Sequence, residues 1–224
     1  MSGGKERELS TKLNHAYALG GIKTLITTLE TNFGLQIDNY VQVNWTSFVD
    51  VFEVLGSIKV NVKNNNKDVE DIIKLNAAVL EHCNLFGYDY ESSKLTGYGE
   101  QYLNPVQLLA FVRYRTGDAD FGRTTRQREA LVAVFNKFKS SSLVKINDVL
   151  EATLPLLTTD LSEGNCASLL LKFPSIVGFK MQQHRFPQSS EFTSKEGMLW
   201  PDWQKALSSM YQRAYGSLCP EQYK

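Results

Sequence analysis

Five arginines and two aspartates are concentrated in one stretch of 16 residues, between two segments with helical patterning. This stretch has a formal charge of +3 (five minus two), although the whole chain is neutral, with 24 basic and 24 acidic residues. Arginine side chains bind phosphate oxygens through paired hydrogen bonds and stay charged at every useful pH. The stretch therefore predicts an anion site, suited to a pyrophosphate or another polyanion, and its charged members are Arg113, Arg115, Asp118, Asp120, Arg123, Arg126 and Arg128.

The spacing of these residues predicts how they would act. Arg113 and Arg115 flank one residue, so on an extended segment both would point to the same side. Arg123 falls beside the start of the next predicted helix, where free backbone N–H groups add to an anion site. One of the two aspartates, Asp118 or Asp120, would orient an arginine or hold a divalent cation such as Mg²⁺.

Structural roles for the same residues remain open alternatives. Thr124 to Gln127 forms a capping-box pattern, so Gln127 would then only cap a helix. Arg126 or Arg128 would lie on a solvated helix face, and the aspartates would neutralise arginines in ion pairs. A patch that binds RNA is a further alternative, although the stretch lacks the interleaved aromatic residues that stack on bases.

Other chemistries have little support in the sequence. The histidines His15, His82 and His184 lack the spacing of a metal site and are interpreted as structural. The chain has no G-x-S-x-G elbow, no P-loop and no G-x-G-x-x-G fingerprint. Lys12 lies at a predicted helix start, where a cation is unfavourable, so it is either a functional lysine or an ordinary exposed one.

Composition narrows the class of protein. The chain has 224 residues, of which 42% are hydrophobic and 21% charged, which is typical of a folded globular protein. Neutral charge argues against a generally basic nucleic-acid coat. Three distant cysteines without a C-x-x-C pair argue against a zinc ribbon or a disulfide framework, and predict free thiols. No apolar run reaches the roughly 18 residues of a membrane span and no signal peptide is evident, so the chain as written is expected to be soluble.

Hydrophobic periodicity predicts the elements that would position the arginines. Helical and strand patterns alternate, which predicts one α/β layered domain with a mixed central sheet flanked by helices. Asn104 and Pro105 open the helix that leads into the arginines, with proline at its first position. The predicted helices lie at about 10–34, 48–55, 69–82, 105–112, 131–138, 145–157, 159–173 and 201–215, and the predicted strands at 40–43, 58–62, 176–186 and 198–200.

Four landmarks in order make the chain resemble the LytR-CpsA-Psr family. The two most specific together are Leu108–Arg115, similar to L-x-[YF]-x-R-x-R with an upstream L-x-G at Leu95–Gly97, and Asp118–Gln127, similar to D-x-D-x-x-R-x-x-R-Q. The other two are Lys12–Gly21, similar to K-[IL]-N-x-A-[YF]-x-x-G-G, and Asp38–Trp45 with the following Phe48 and Leu55–Gly56. The resemblance is good over about residues 10–175 and looser beyond.

The resemblance implies an activity and a role for each matching residue. Family members are phosphotransferases, membrane-anchored on the outer face of the bacterial cytoplasmic membrane, that move a glycopolymer such as wall teichoic acid or capsular polysaccharide from a polyprenyl pyrophosphate carrier to peptidoglycan. The implied catalytic residues are Arg113, Arg115 and Asp120, the last orienting the arginines. The implied pyrophosphate-binding residues are Lys12, Arg113, Arg115, Arg123, Arg126 and Gln127. The resemblance also implies an apolar tunnel that holds the polyprenyl tail. Residues that would line it, or that would instead belong to the ordinary core, are Leu25, Ile26, Leu29, Val49 and Phe52.

The chain departs from the family pattern at its front. Members have a membrane helix and then strands with G-x-D, R-x-D-T and S-I-P-R-D segments, which supply acidic ligands for Mg²⁺. No equivalent precedes Lys12, so we expect a partial member without those magnesium ligands. The expected organisation is a disordered or cloning-derived segment at 1–9, a partial family domain at 10–216 and a tail at 217–224.

Three functions follow as hypotheses. The first is a glycopolymer phosphotransferase, intact or inactive in this form. The second is a non-catalytic module that binds polyprenyl phosphate groups. The third is a regulatory protein of the transcriptional-attenuator type that uses the arginines on nucleic acid, which the neutral charge disfavours.

Overall fold

The computed structural model describes residues 12–63, 70–115, 120–176, 178–217 and 220. Two compact units are formed, one by residues up to Asp38 together with those from Gln182 onwards, and the other by Asn39–Met181. The helices of the described residues are α1 (His15–Phe33), α2 (Trp45–Leu55), α3 (Glu70–Phe86), α4 (Tyr90–Ser93), α5 (Pro105–Arg113), α6 (Asp120–Lys139), α7 (Leu143–Thr153), α8 (Glu163–Ile176) and α9 (Trp203–Tyr215). The strands are β1 (Val41–Gln42), β2 (Ile58–Val62), β3 (Gly99–Leu103), β4 (Thr158–Thr159), β5 (Phe192–Lys195) and β6 (Met198–Pro201).

The α/β fold class is confirmed, and the described strands form three separate pairs. Among the described residues, β1 pairs with β4, β2 with β3, and β5 with β6, each pair being antiparallel. The sequence analysis expected one mixed central sheet instead. Each described strand has one hydrogen-bonded neighbour, because helices rather than further strands pack beside the longest pair, β2–β3.

The core of the 39–181 unit lies where α5 packs against α2, α3, α6 and β3. Strand β2 alternates buried and exposed residues, as the sequence predicts, and its apolar face joins this core. Residues 105–112 of α5 are all buried, so this helix is enclosed by its neighbours. Transfer of so much apolar surface from water is the main stabilising contribution to this unit.

The other unit has a smaller core between α1 and α9. Phe33, Leu207 and Tyr211 are buried there, and the Tyr211 hydroxyl donates to the Gly34 carbonyl at 2.6 Å. Gly34 ends α1 with a left-handed φ of 64°, a conformation that glycine adopts without steric cost. None of the helices in the described ranges is long and apolar enough to cross a bilayer.

Several predicted elements differ from the observed ones. The predicted strand over 176–186 is wrong, since α8 runs to Ile176 and residues 179–185 have no regular structure. Alternating residues form a strand only where a partner is available, and no described strand pairs with this segment. The sequence analysis missed β3, β4 and β5, each of which pairs antiparallel with a predicted strand.

The predicted apolar tunnel residues divide between the two units. Val49 is buried and Phe52 packs against the main core of the 39–181 unit. Leu29 packs against the Phe33 core, while Leu25 and Ile26 are half-buried in α1. These positions fit the alternative of ordinary core packing, and the tunnel stays a prediction.

Candidate functional site

The arginine stretch begins at the end of an unusually well-fixed helix. Asn104 and Gln107 form a reciprocal capping box at the start of α5, and Pro105 occupies the first turn as predicted. The Gln107 amide also donates to the Ser93 carbonyl at 2.6 Å, which ties α5 to α4. Because residues 105–112 are buried, Arg113 is the first side chain of α5 to reach the surface. A cation at this end of a helix also interacts favourably with the helix dipole.

Arg113 contacts two side chains from other helices. Its Cζ lies 4.5 Å from the centroid of the Trp45 ring, at the start of α2. Its Nη1 donates to Nε2 of His82, on α3, at 3.4 Å. Burial, and then the positive charge of Arg113, lower the pKa of His82. The imidazole is therefore neutral at pH 7, which is the form that can accept this hydrogen bond.

Arg126 and Gln127 bind the backbone at the C-terminal end of α5, where Arg113 also lies. The Arg126 guanidinium donates from Nε to the Phe111 carbonyl at 2.9 Å and from Nη2 to the Tyr114 carbonyl. The Gln127 amide donates to the Val112 carbonyl at 3.2 Å. The last carbonyls of a helix have no partner within the helix, so these side chains satisfy them. They thereby hold the start of α6 against the end of α5.

This arrangement changes three sequence-based interpretations. Thr124–Gln127 is not a capping box at a helix start, because α6 already begins at Asp120. Arg126 is not on a solvated face, since only 7% of its surface is exposed. Arg113 is helical rather than extended, so the alternation argument for Arg113 and Arg115 does not apply.

The remaining predicted residues differ in location and exposure. Arg115 is exposed two residues beyond α5, and Arg123 is half-buried in the first turn of α6, beside Arg126 and Gln127 on the helix surface. Asp120 begins α6 but its carboxylate lies outside the described residues, as does all of Asp118. Lys12 is exposed just before α1, where its carbonyl accepts from the His15 amide, and it belongs to the other compact unit.

Sequence reasoning missed four residues at this site. Trp45 and His82 contact Arg113, and the Tyr114 hydroxyl donates to Oδ1 of the buried Asp71 at 3.2 Å. Burial, with the charge and hydrogen bond of Asp71, raises the pKa of Tyr114 to about 12. A signal for His82 was present, since it follows Leu75 and Val79 on the buried stripe of α3.

The cysteines and the metal-ligating side chains are the other groups that could carry chemistry. Cys83 is buried and Cys166 half-buried, and both are free thiols as predicted, while Cys219 lies outside the described residues. No three metal-ligating side chains converge anywhere in the described part of the chain. The carboxylates of Asp118 and Asp120, which adjoin the arginines in sequence, lie outside the described residues.

Nearly the whole chain is similar to one known protein family. The LytR_cpsA_psr family profile matches residues 2–214. Among curated proteins, a polyisoprenyl-teichoic acid–peptidoglycan teichoic acid transferase TagU of Bacillus subtilis (strain 168) is 32% identical over 157 residues, which is 69% of this chain and 44% of TagU. The TagU of Enterococcus faecalis (strain ATCC 700802 / V583) is 30% identical over 75% of this chain and 48% of its own length. The chain thus spans less than half the length of these relatives.

Solved structures agree with this family at the level of the fold. The crystal structure of Bacillus subtilis TagV superposes with a TM-score of 0.66 at 22% identity, over 94% of this chain and 77% of TagV. A structure of TagT bound to LI-WTA superposes with a TM-score of 0.61 at 25% identity, over 92% of this chain and 72% of TagT.

Proposed function

The chain belongs to the LytR_cpsA_psr family, and we propose that it takes part in transferring a glycopolymer from a polyprenyl pyrophosphate carrier to peptidoglycan. One observation carries the proposal: Arg113 emerges from the end of the enclosed helix α5, with Arg115 and Arg123 on the adjoining segments. Guanidiniums on a rigid support are suited to the oxygens of a pyrophosphate.

The names of related proteins support the choice of substrate class. The TagU relatives are named as transferases that link teichoic acid to peptidoglycan, and TagT was solved with LI-WTA bound. Teichoic acid, peptidoglycan and the polyprenyl carrier are the substrates that we propose for this chain. Arg126 and Gln127 would contribute indirectly, because the structure already uses them to join α5 and α6.

The arginines would act on the charge that moves during transfer. An acceptor hydroxyl would lose its proton to water and form a bond to the phosphorus next to the glycopolymer, and the bond from that phosphorus to the polyprenyl phosphate oxygen would break. Negative charge would develop on the departing polyprenyl phosphate. Fixed guanidiniums stabilise such charge without having to reorganise.

Binding tests the proposal before turnover does. A polyprenyl pyrophosphate in detergent micelles is titrated into wild type and into an Arg113→Ala/Arg115→Ala variant. Because the variant lacks two side chains that donate charge-assisted hydrogen bonds, we expect it to bind roughly 100-fold or more weakly. A matched control is Lys172→Ala/Lys180→Ala, which removes two exposed positive charges from the same compact unit. Equal affinity in wild type and the arginine variant would contradict the proposal.

Further measurements distinguish the alternative functions and test whether Mg²⁺ takes part in binding. Formation of a polymer–peptidoglycan product distinguishes a transferase from a module that only binds. Salt-sensitive RNA binding without lipid binding would instead favour the nucleic-acid hypothesis. The titration is run with Mg²⁺ and with EDTA, because Asp118 and Asp120 adjoin the arginines in sequence and Mg²⁺ prefers carboxylate oxygens. We propose tighter binding with Mg²⁺; an affinity independent of Mg²⁺ would remove the metal from the proposal.

A further inference from the structure

We infer that His82 and Trp45 are positioning residues, which together set the orientation of the Arg113 guanidinium for its anionic ligand. The ligand part of this inference rests on the proposed function. The contacts themselves come from three separate helices, α2, α3 and α5, and do not depend on it.

The hydrogen-bond chemistry assigns the role of His82. A guanidinium only donates hydrogen bonds, so Nε2 of His82 must accept and the ring proton must be on Nδ1. Nδ1 is buried and has no hydrogen-bond partner among the described residues. The histidine is 2% exposed, on an otherwise apolar stripe. An apolar residue would avoid the cost of the unsatisfied Nδ1, so the advantage of histidine here is the acceptor that it offers to Arg113.

Trp45 provides the second contact with Arg113. Its ring is about half exposed (52%) and lies against Cζ of the guanidinium, an arrangement favoured by the charge distribution of the indole. The position of Trp45 is itself fixed, because the Asn44 side chain caps α2 by accepting from the Ser47 amide at 2.8 Å. The contact with His82 uses one of the five N–H donors of Arg113, which leaves others for an anion.

Protonation of His82 would break its hydrogen bond with Arg113. The charged groups that act on His82 are Arg113, from α5, which lowers its pKa, and Glu81, on α3, which raises it. Burial is the largest effect and also lowers the pKa. A protonated imidazole could not accept from Arg113 and would repel it. The contact is therefore present above the ordinary histidine pKa of about 6.5 and is lost as pH falls through the lowered value.

Two substitutions of His82 separate positioning from packing. His82→Gln keeps a side-chain acceptor at a similar reach, whereas His82→Phe fills the space without one, and His82→Leu replaces it if the phenylalanine variant does not fold. We expect His82→Phe to bind polyprenyl pyrophosphate roughly five- to tenfold more weakly, since one charge-assisted contact is misplaced. His82→Gln should recover most of that loss. In an Arg113→Ala background the effect of His82→Phe should disappear.

A spectroscopic measurement needs no ligand. The emission of Trp45 is obtained as the difference between wild type and Trp45→Phe, which removes the contribution of Trp200 and Trp203. Arg113→Ala should change this emission, and His82→Phe should produce the same change, whereas His82→Gln should not. The wild-type signal should also titrate below pH 6.5, and the His82→Gln signal should not.

The outcomes distinguish this inference from the proposed function. If wild type does not bind the lipid, the proposed function fails and the emission measurement still decides the inference. If His82→Phe leaves both Trp45 emission and affinity as in wild type, the inference is overturned. It is also overturned if His82→Gln and His82→Phe lose equal affinity, because packing would then explain both.

Discussion

Replacement of Arg126 by alanine should destabilise the 39–181 unit rather than act first on ligand binding. Arg126 is buried, and its guanidinium donates to the carbonyls of Phe111 and Tyr114 at the end of α5. Its Cζ also lies 5.2 Å from the centroid of the Tyr114 ring. In Arg126→Ala these carbonyls lose their donors, and the start of α6 loses its attachment to α5.

The magnitude follows from the two hydrogen bonds. The bond to Phe111 is buried, so its loss leaves an unsatisfied acceptor at a cost of about 1–3 kcal/mol. The bond to Tyr114 is partly buried, and water can replace that donor, so its loss costs about 0.5–1.5 kcal/mol. Together they predict a decrease of about 3 kcal/mol in the free energy of unfolding, out of the roughly 5–15 kcal/mol typical of a domain.

The assay is urea denaturation followed by circular dichroism, with hydrogen exchange of the α5 amides as a local reporter. Two compact units can unfold separately, so the change should appear in the transition to which α5 belongs. Arg128→Ala is the matched control on the same helix. Arg128 donates to the Thr125 hydroxyl at 3.1 Å, and its replacement should change the free energy of unfolding by at most about 0.5 kcal/mol.

The reasoning would be refuted by a loss below about 1 kcal/mol together with unchanged exchange in α5. If Arg126→Ala instead weakened binding of polyprenyl pyrophosphate with unchanged stability, the direct binding role implied by the family resemblance would be favoured. Arg126→Lys should fall between wild type and alanine, because a lysine cannot reach two carbonyls with a planar fork.

Three further predictions concern the same unit. Leu108→Ala should lower the free energy of unfolding by about 2–5 kcal/mol, because it leaves a cavity in the core. Leu131→Ala, at an exposed position, should change it by at most about 0.5 kcal/mol. Urea denaturation measures both, and equal effects would contradict the packing described. Asp71→Asn should lower the pKa of Tyr114 from about 12, as read from phenolate absorbance after subtraction of a Tyr114→Phe variant, and an unchanged pKa would exclude the role of Asp71. Since the fold favours the neutral phenol, the contribution of Tyr114 to stability is intact below pH about 10 and is lost as pH rises through about 12. Cys83→Ala should not reduce the number of thiols that react with a disulfide reagent in the native protein, because Cys83 is buried; a lower count would show that it is accessible.

Local patterns predicted the elements that carry the site. Asn104 and Pro105 indicated the start of α5, and the alternation over Ile58–Val62 predicted β2 with its exact bounds. Gly56 was predicted to end α2, and it does so with a φ of 74°. These predictions succeeded because helix caps, prolines and the alternation of apolar residues take effect within a few residues. One short segment of sequence therefore contains everything that determines such an element.

Predictions that needed a distant partner were less successful. The segment 176–186 alternates like a strand, yet no described strand pairs with it. Strand β3 was missed, and it is stabilised by pairing with β2, about 40 residues earlier. The expected single sheet failed for the same reason, because strand order depends on packing between segments rather than on their patterns.

The sequence alone determined the family and predicted the position of an arginine-rich anion site, because both inferences depend on residue types at fixed spacing. Only the tertiary structure decided what each arginine does. Arg126, which by spacing resembles a ligand contact, is occupied by the backbone carbonyls of α5, whereas Arg113 reaches the surface. Trp45 and His82 lie 68 and 31 residues before Arg113, and only the packing of α2 and α3 around α5 brings them to its guanidinium.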